Sequence, residues 1–467
     1  MARKRIYIIF VCVIAAFGGL LFGLDQGFMN GSLQLIVKDL HLNVDQASSF
    51  AAILLWGSVI GAIISGFVSS LIGRKNTLLL TAIVFTVFSF LSMASSSYET
   101  LTIFRFILGL SVGVASFAVP LYLSEIAPTR MRGGFISMYQ MMITVGIFAI
   151  FVSNYIIGKH TGSWRPMFLA IAIPALIMLV GLIFIPKSPR WLFLKKRHKD
   201  AELVLNKTRF TQEEVDFELA EMKEAIEMND SEKGGFFSML KHSYFFKVLA
   251  LGVVIQMFQQ LTGINSVIYY STSIFIGAGL DSPLIATIIV GLVNMLTTIL
   301  AVLFVDKLGR KPILYFGYTI MALSLFLCSW IFHLESGSEA LSGLSKISLV
   351  GSTVVFIFAF AISAGPIAWV LCAEIFPLKG RDLGMTVTTA VNWVFAALVV
   401  AFSLPMMQLA DGSTNSAGGA KLFLFFGICC VIFLFVLKFF IPETKGISLE
   451  EVEENLKSNK KLKNIGV

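Results

Sequence analysis

The sequence predicts an all-α membrane protein, with twelve transmembrane helices in two pseudo-symmetric six-helix halves. Three observations lead there. Of 467 residues, 57% are hydrophobic and only 14% are charged, and the mean hydropathy is +0.84. A soluble domain of that length could not bury so much apolar surface. The apolar residues fall in long continuous runs, and about 20 such residues cross the hydrocarbon core as a helix. Only helices and closed barrels satisfy the backbone in lipid, and these runs are too long and unbroken for barrel strands. Finally, charged strings recur about 250 residues apart. Glu125-Ile-Ala-Pro128-Thr-Arg-Met-Arg132 is echoed by Glu374-Ile-Phe-Pro377-Leu-Lys-Gly-Arg381, Gly73-Arg74-Lys75 by Gly309-Arg310-Lys311, and Pro186-Lys-Ser-Pro-Arg190 by Pro442-Glu-Thr-Lys-Gly446. Matched motifs at the ends of apolar runs indicate duplicated halves, a construction common in secondary transporters.

In order along the chain, Arg3, Lys4 and Arg5 precede the first apolar run, as in a signal peptide. No small-residue cleavage site follows, and further spans do, so the run is read as a retained first helix, 6–34. The next five spans are 49–72, 77–96, 101–124, 135–157 and 166–186, closing a first half at 1–186. Residues 187–245 are the longest polar stretch, and Gln212 to Met228 place apolar residues at helical spacing among many Glu. That segment reads as an amphipathic cytoplasmic helix in a linker between the halves. The second half, 246–445, holds spans 246–275, 283–305, 312–333, 347–373, 383–409 and 420–441. A charged tail, 446–467, is expected to fray beyond Leu456.

The formal charge of +8 is a topology signal rather than a nucleic-acid footprint, because the cations cluster in alternate loops. Arg74, Lys75, Arg130, Arg132, Lys307, Arg310, Lys311, Lys379 and Arg381 follow even-numbered spans, whereas odd-numbered spans are followed by few, such as Lys38, Lys159 and Lys421. Both termini are therefore expected in the cytoplasm. The five cysteines, Cys12, Cys328, Cys372, Cys429 and Cys430, lie in apolar runs without metal-ligand spacing and read as small buried hydrophobes. No phosphate loop, HExxH, GxSxG or Cys/His cluster occurs, so neither ATP hydrolysis nor enzymatic catalysis is expected, and no cofactor or metal.

Asp25 is the only charge among the 32 residues from Ile6 to Val37. A carboxylate at the centre of a membrane helix costs about 2.5–3.5 kcal/mol on insertion scales. It is read either as a proton-binding group whose affinity changes as the site opens to either side, or as half of a structural ion pair. Arg105 starts the fourth span, with no further charge until Glu125. It is read as the partner of Asp25, the alternative being an anchor that snorkels to the outer surface. Arg74, Glu125, Arg132, Arg310, Glu374 and Arg381 stand at cytoplasmic helix ends. They are read as a gate, forming ion pairs between helices only while the inner side is shut; the alternative is a simple topology signal.

A polar trail runs through the spans: Gln140, Gln259, Gln260, Asn265, Tyr269, Tyr270, Asn294, Trp369, Asn392 and Trp393. Amides both donate and accept, as an uncharged polyhydroxyl ligand requires, and aromatic faces such as those of Phe22, Tyr270 and Trp369 suit the apolar side of a sugar ring. A single intramembrane amide is usually interhelical glue; six of them with two Trp across five spans point to a ligand site. Gly365-Pro366 is expected to break the tenth span beside it.

Together, Gly19-Leu-Leu-Phe22-Gly23-Leu-Asp25, Gly73-Arg-Lys75, Pro186-Lys-Ser-Pro-Arg-Trp191, Gln259-Gln-Leu-Thr-Gly-Ile-Asn265, Asp306-Lys-Leu-Gly-Arg-Lys311 and Pro442-Glu-Thr-Lys-Gly446 resemble the sugar porter family of the major facilitator superfamily over nearly the whole chain. Ser363-Ala-Gly-Pro366 through Asp382 looks most like the bacterial galactose–proton and arabinose–proton symporters. The resemblance implies alternating access, sugar contacts from Gln140, Gln259, Gln260, Asn265, Asn294, Trp369 and Asn392, and a proton carried by Asp25 with Arg105 as its partner. The chain departs from the family pattern at Ser70 and Leu71, where an acid and a cation are usual, and at Lys187, where Glu is usual.

The expectation is a monomeric monosaccharide–proton symporter importing a hexose such as galactose or glucose across a bacterial inner membrane, with sugar, protons and the lipid bilayer as its partners and no nucleic acid. The alternatives are a pentose (arabinose or xylose) symporter, a sugar uniporter, a sugar sensor and a drug exporter.

Overall fold

A computed structural model describes residues 2–128, 131–231, 242–334, 341–377, 380–407, 416–445, 447, 449–458 and 460–465, excluding the side chains of 2, 132, 224–231, 302–308, 382, 416–417, 449–450 and 453. The first half comprises α1 (Ala2–Leu40), α2 (Val44–Ile72), α3 (Arg74–Ala94), α4 (Tyr98–Ile126), α5 (Arg132–Thr161) and α6 (Leu169–Phe184). Helices α7 (Pro189–Leu194), α8 (His198–Thr208) and α9 (Gln212–Ser231) follow. The second half comprises α10 (Ser243–Gln260), α11 (Ile264–Gly277), α12 (Pro283–Leu308), α13 (Arg310–Leu334), α14 (Gly343–Ile362), α15 (Ala364–Ile375), α16 (Arg381–Met407) and α17 (Ser416–Phe439), with α18 (Leu449–Lys457) in the tail. Among the described residues, twelve stretches are long and apolar enough to cross a membrane, with α10–α11 and α14–α15 each forming one span.

Local chemistry starts and stops these helices. Asn43 and Gln46 form a capping box at α2, and Ser97 and Ser342 accept backbone N–H groups at the starts of α4 and α14. Gly73 separates α2 from α3 at φ +88°, ψ 153°, and Gly309 separates α12 from α13 at φ +89°, ψ 160°. That backbone region is open to glycine alone, so the duplicated Gly-Arg-Lys strings fold into the same turn. Large apolar side chains such as Phe67, Phe184 and Leu323 face outward, 71%, 67% and 65% exposed. That surface is stable only against lipid.

The helix contacts repeat between halves. α1 packs on α5 as α10 does on α16, α2 on α4 as α12 does on α14, and α3 on α6 as α13 does on α17. The halves meet along three seams, α1–α11, α2–α16 and α5–α12. The α2–α4 pair is close because of Gly109 and Gly113, where an added Cβ would lie 2.0 Å from the Leu54 carbonyl oxygen and 2.2 Å from that of Ser58.

Three spans are interrupted. α1 kinks at Asn30–Gly31, and Asn154 of α5 donates to the carbonyls of Phe28 and Asn30 at 3.0 and 2.6 Å, which satisfies backbone groups at the kink. The seventh span breaks after Gln260, where Gly263 turns left-handed at φ +85°. The tenth breaks at Ser363 (φ −124°, ψ −89°), and Pro366 lies in the first turn of α15, where its missing N–H costs little. Within the linker, Trp191, Leu192, Phe193, Ala201, Leu205, Val215 and Met222 form a small core. Buried Arg209 fastens α9 to the end of α4, binding Glu218 at 2.5 and 2.8 Å and the Ile126 carbonyl at 2.8 Å.

Candidate transport site

The seam of α1 and α11 is tied by polar contacts. Gln26 Nε2 donates to Asn265 Oδ1 at 2.6 Å, Asn30 Nδ2 to Ser271 Oγ at 2.6 Å, Gln34 Nε2 to Ser273 Oγ at 3.0 Å, and the Thr272 N–H to Asn30 Oδ1 at 3.0 Å. The bonds of Asn30 and Gln34 occupy the half of each helix leading to the 40–43 and 278–282 loops, whereas Gln26 meets Asn265 at the first turn of α11.

From Asn265 an amide network continues into the second half. Asn265 Nδ2 donates to Gln260 Oε1 at 2.6 Å, and Gln260 Nε2 donates to Asn392 Oδ1 at 3.1 Å. Asn392 Nδ2 in turn donates to Gln259 Oε1 at 2.5 Å and Gln256 Oε1 at 2.7 Å. Gln259 Nε2 is anchored on the carbonyls of Ala364 and Gly365, 3.0 and 3.1 Å away at the break of the tenth span. Of the interrupted spans, the seventh thus supplies Gln256, Gln259, Gln260 and Asn265 and the tenth two backbone carbonyls to one polar cluster, which Asn392 of α16 completes. Such irregularity is tolerated at membrane depth only inside protein or beside a cavity.

Gln259, Gln260, Asn265 and Asn392 are thus brought together. Phe22 faces Trp393 across the halves, ring centroids 5.3 Å apart. Tyr270 is fully buried, its hydroxyl donating to the Val400 carbonyl at 3.0 Å. Gln140 and Trp369 are half-buried and Asn294 is buried, and none of the three joins the hydrogen-bonded amide cluster. Sequence reasoning passed over Gln26, Asn30 and Gln256. Their signal was available: Gln26 adjoins Asp25, Asn30 lies one turn further on, and Gln256 stands one turn before Gln260.

Next to Gln26, Arg105 Nη1 donates to Asp25 Oδ1, and both side chains are fully buried. The guanidinium also lies 5.3 Å from the centre of the Phe28 ring. Asp25 Oδ2 and Arg105 Nε and Nη2 have no hydrogen-bond partner among the described residues. A buried pair of this kind is a neutral unit. Removing one member leaves an uncompensated charge, at a cost of about 3–5 kcal/mol, so a proton arriving on the acid changes the balance of the whole site.

At the membrane-edge motifs, Arg74 grips Glu125 at 3.0–3.1 Å, and Ser188 Oγ donates to the same carboxylate. Arg310 grips Glu374 at 2.8 and 3.2 Å, with Thr444 Oγ1 donating to it at 2.6 Å. Both pairs join helices within one half, so they brace each half rather than bridging the two. Arg381 Nε and Nη2 are buried without a hydrogen-bond partner among the described residues. The side chain of Arg132, and Arg130 and Lys379 altogether, lie outside the described residues.

Residues 11–456 match the family model described as sugar (and other) transporter. The chain is 40% identical to the galactose-proton symporter of Escherichia coli (strain K12) over 460 residues, covering 98% of this chain and 96% of that protein. It is 39% identical to the arabinose-proton symporter of the same strain over 461 residues, 98% of this chain and 95% of that protein. Among solved structures, the inward open conformation of the xylose transporter XylE from E. coli superposes with a TM-score of 0.80 at 29% identity, covering 96% of this chain and 99% of that one.

Proposed function

The chain belongs to the sugar (and other) transporter family, and from that premise we propose that it imports a monosaccharide together with a proton across the bacterial inner membrane by alternating access. A hexose such as galactose or glucose is the preferred substrate class. The observation that carries the proposal is the wholly buried Asp25–Arg105 pair, one residue from Gln26, through which the α1 seam reaches the amide cluster. A uniporter has no need of an ionisable acid at that depth, where it is costly.

Sugar hydroxyls replace the amide–amide bonds of Gln259, Gln260, Asn265 and Asn392, with Gln140, Asn294, Phe22, Tyr270 and Trp369 lining the remainder. Protonated Asp25 stabilises the outward-open form. Sugar binding closes the α1–α11 seam, and on the inner side Asp25 releases its proton as Arg105 returns to it. The membrane potential adds about 2.3 kcal/mol per charge per 100 mV. Positive-inside loops support cytoplasmic termini. The edge residues serve as the inner gate: Arg74–Glu125 and Arg310–Glu374 keep each half rigid, and Arg381 has donors available for an acceptor from the other half when that side closes.

A pentose substrate is the second reading, favoured by the nearly equal identity to an arabinose-proton symporter. Uptake into proteoliposomes with and without an imposed proton gradient tests the coupling, and competition by galactose, glucose, xylose and arabinose against one labelled sugar tests the substrate. Equal accumulation with and without the gradient would contradict the proposal.

A further inference from the structure

Tyr269 sits on α11 one turn beyond Asn265 and three residues before Thr272, and only 1% of it is exposed. Its neighbour on each side of the seam is engaged: Asn265 holds Gln26, and the Thr272 N–H binds Asn30. α1 and α11 run in the same direction, with 26 level with 265 and 30 level with 271–272. A helical side chain leans toward its own N-terminus, so the ring of Tyr269 points back to the level of Gln26 and Asp25. The charges of Arg105 and Asp25 both act on its hydroxyl. Yet that hydroxyl, Asp25 Oδ2 and two nitrogens of Arg105 all lack hydrogen-bond partners among the described residues. Buried polar groups are rarely left so, and here the idle groups come from opposite halves of the protein.

We propose that Tyr269 is a positioning residue for proton coupling: when Asp25 is protonated and lets go of Arg105, the guanidinium donates to the Tyr269 hydroxyl oxygen and so ties the first half to α11. The link rewards closure of the α1–α11 seam only in the protonated carrier, which suppresses transit of sugar without its proton. With Asp25 ionised, Arg105 is held by the carboxylate and the hydroxyl is idle, the arrangement seen here. The inference rests on the proton-coupled reading above.

Few other groups compete at that level. On α1 itself the remaining titratable residues are Arg3, Lys4, Arg5, Tyr7, Cys12, Lys38 and Asp39, all three turns or more from Asp25. From α5, Tyr139 packs against Gly19, nearer the N-terminus of α1. α6 carries no titratable side chain. α2 offers only Asp45 and α3 only Arg74 and Lys75, each in a first turn, while α8 carries His198, Lys199, Asp200, Glu202 and Lys207. At the start of α1, Lys4 binds the Arg209 carbonyl just beyond α8.

The test is Tyr269→Phe, which keeps the ring and removes the oxygen, measured in proteoliposomes beside Asp25→Asn. Tyr269→Phe is expected to bind and exchange sugar within about two-fold of wild type. Its proton-driven accumulation is expected to fall at least five-fold, and the pH profile of uptake to flatten. Wild-type accumulation and an unshifted pH profile in Tyr269→Phe would overturn the inference. Should that variant be unstable, Tyr269→Gln, which retains an acceptor, is expected to preserve the pH profile, and a flattened profile there would overturn it equally. If Asp25→Asn still accumulates sugar, proton coupling at Asp25 fails as a whole; if it does not and Tyr269→Phe behaves as wild type, only the role of Tyr269 fails.

Discussion

Glu443 and Lys187 hold equivalent places in the two halves and do opposite things. The carboxylate of Glu443 accepts the backbone N–H groups of Arg310 and Lys311 at 3.0 and 2.9 Å, capping α13. Their equivalence is set by the next residue of each string, since Thr444 donates to Glu374 and Ser188 to Glu125. Lys187 places a cation where its counterpart places an anion, with its ammonium 5.7 Å from the Trp191 ring. An anion at a helix N-terminus stabilises, and a cation there does not.

The asymmetry is testable by exchange. Lys187→Glu should cap α3 as Glu443 caps α13, contributing about 0.5–1 kcal/mol. Glu443→Gln should weaken α13 by a similar amount. Thermal unfolding of the purified carrier should show the first Tm raised and the second lowered.

Arg105→Gln strands a buried carboxylate and should destabilise the protein by about 3–5 kcal/mol. Adding Asp25→Asn removes the stranded charge. The double variant should therefore have a higher Tm than Arg105→Gln alone, and the reverse order would show that the two groups are not energetically paired.

Asn392 is the node on which Gln256, Gln259 and Gln260 converge. Asn392→Ala removes it. With a typical hydrogen bond contributing about 1 kcal/mol, sugar affinity measured by equilibrium binding should fall about ten-fold or more. Gln26→Ala, at the edge of the same network, should cost less.

Gly263 cannot be replaced. Its φ of +85° disfavours any side chain, and a Cβ there would lie 2.4 Å from the Phe426 ring. Gly263→Ala should lose both folded yield and transport, measured by size-exclusion recovery and uptake. Gly343→Ala, where nothing lies within 4 Å of the added Cβ, should do neither.

The twelve spans were legible because a membrane helix needs only length and apolarity, and the two-half architecture because a turn such as Gly73-Arg-Lys repeats its conformation at Gly309. The break in the tenth span was signalled by Gly365-Pro366, but it falls at Ser363, since Pro366 is tolerated inside the first turn of the new helix. The break at Gly263 went unread, because one glycine among apolar residues does not announce a left-handed turn. Four of the six amides in the cluster were visible as Gln259, Gln260, Asn265 and Asn392. Gln26 and Gln256 were passed over: their places beside Asp25 and one turn before Gln260 were readable, but their partners depend on how α1 meets α11 and α10 meets α16. The edge motifs were read as latches that form only when the inner side shuts. The structure shows Arg74–Glu125 and Arg310–Glu374 formed inside each half, a distinction that spacing alone does not contain.

The central claim is that Asp25 carries the coupled proton. The most direct measurement is uptake of labelled sugar by Asp25→Asn in proteoliposomes, against a gradient and in exchange mode. The account predicts that uphill accumulation is lost while exchange of sugar for sugar persists; accumulation undiminished by the substitution would contradict it.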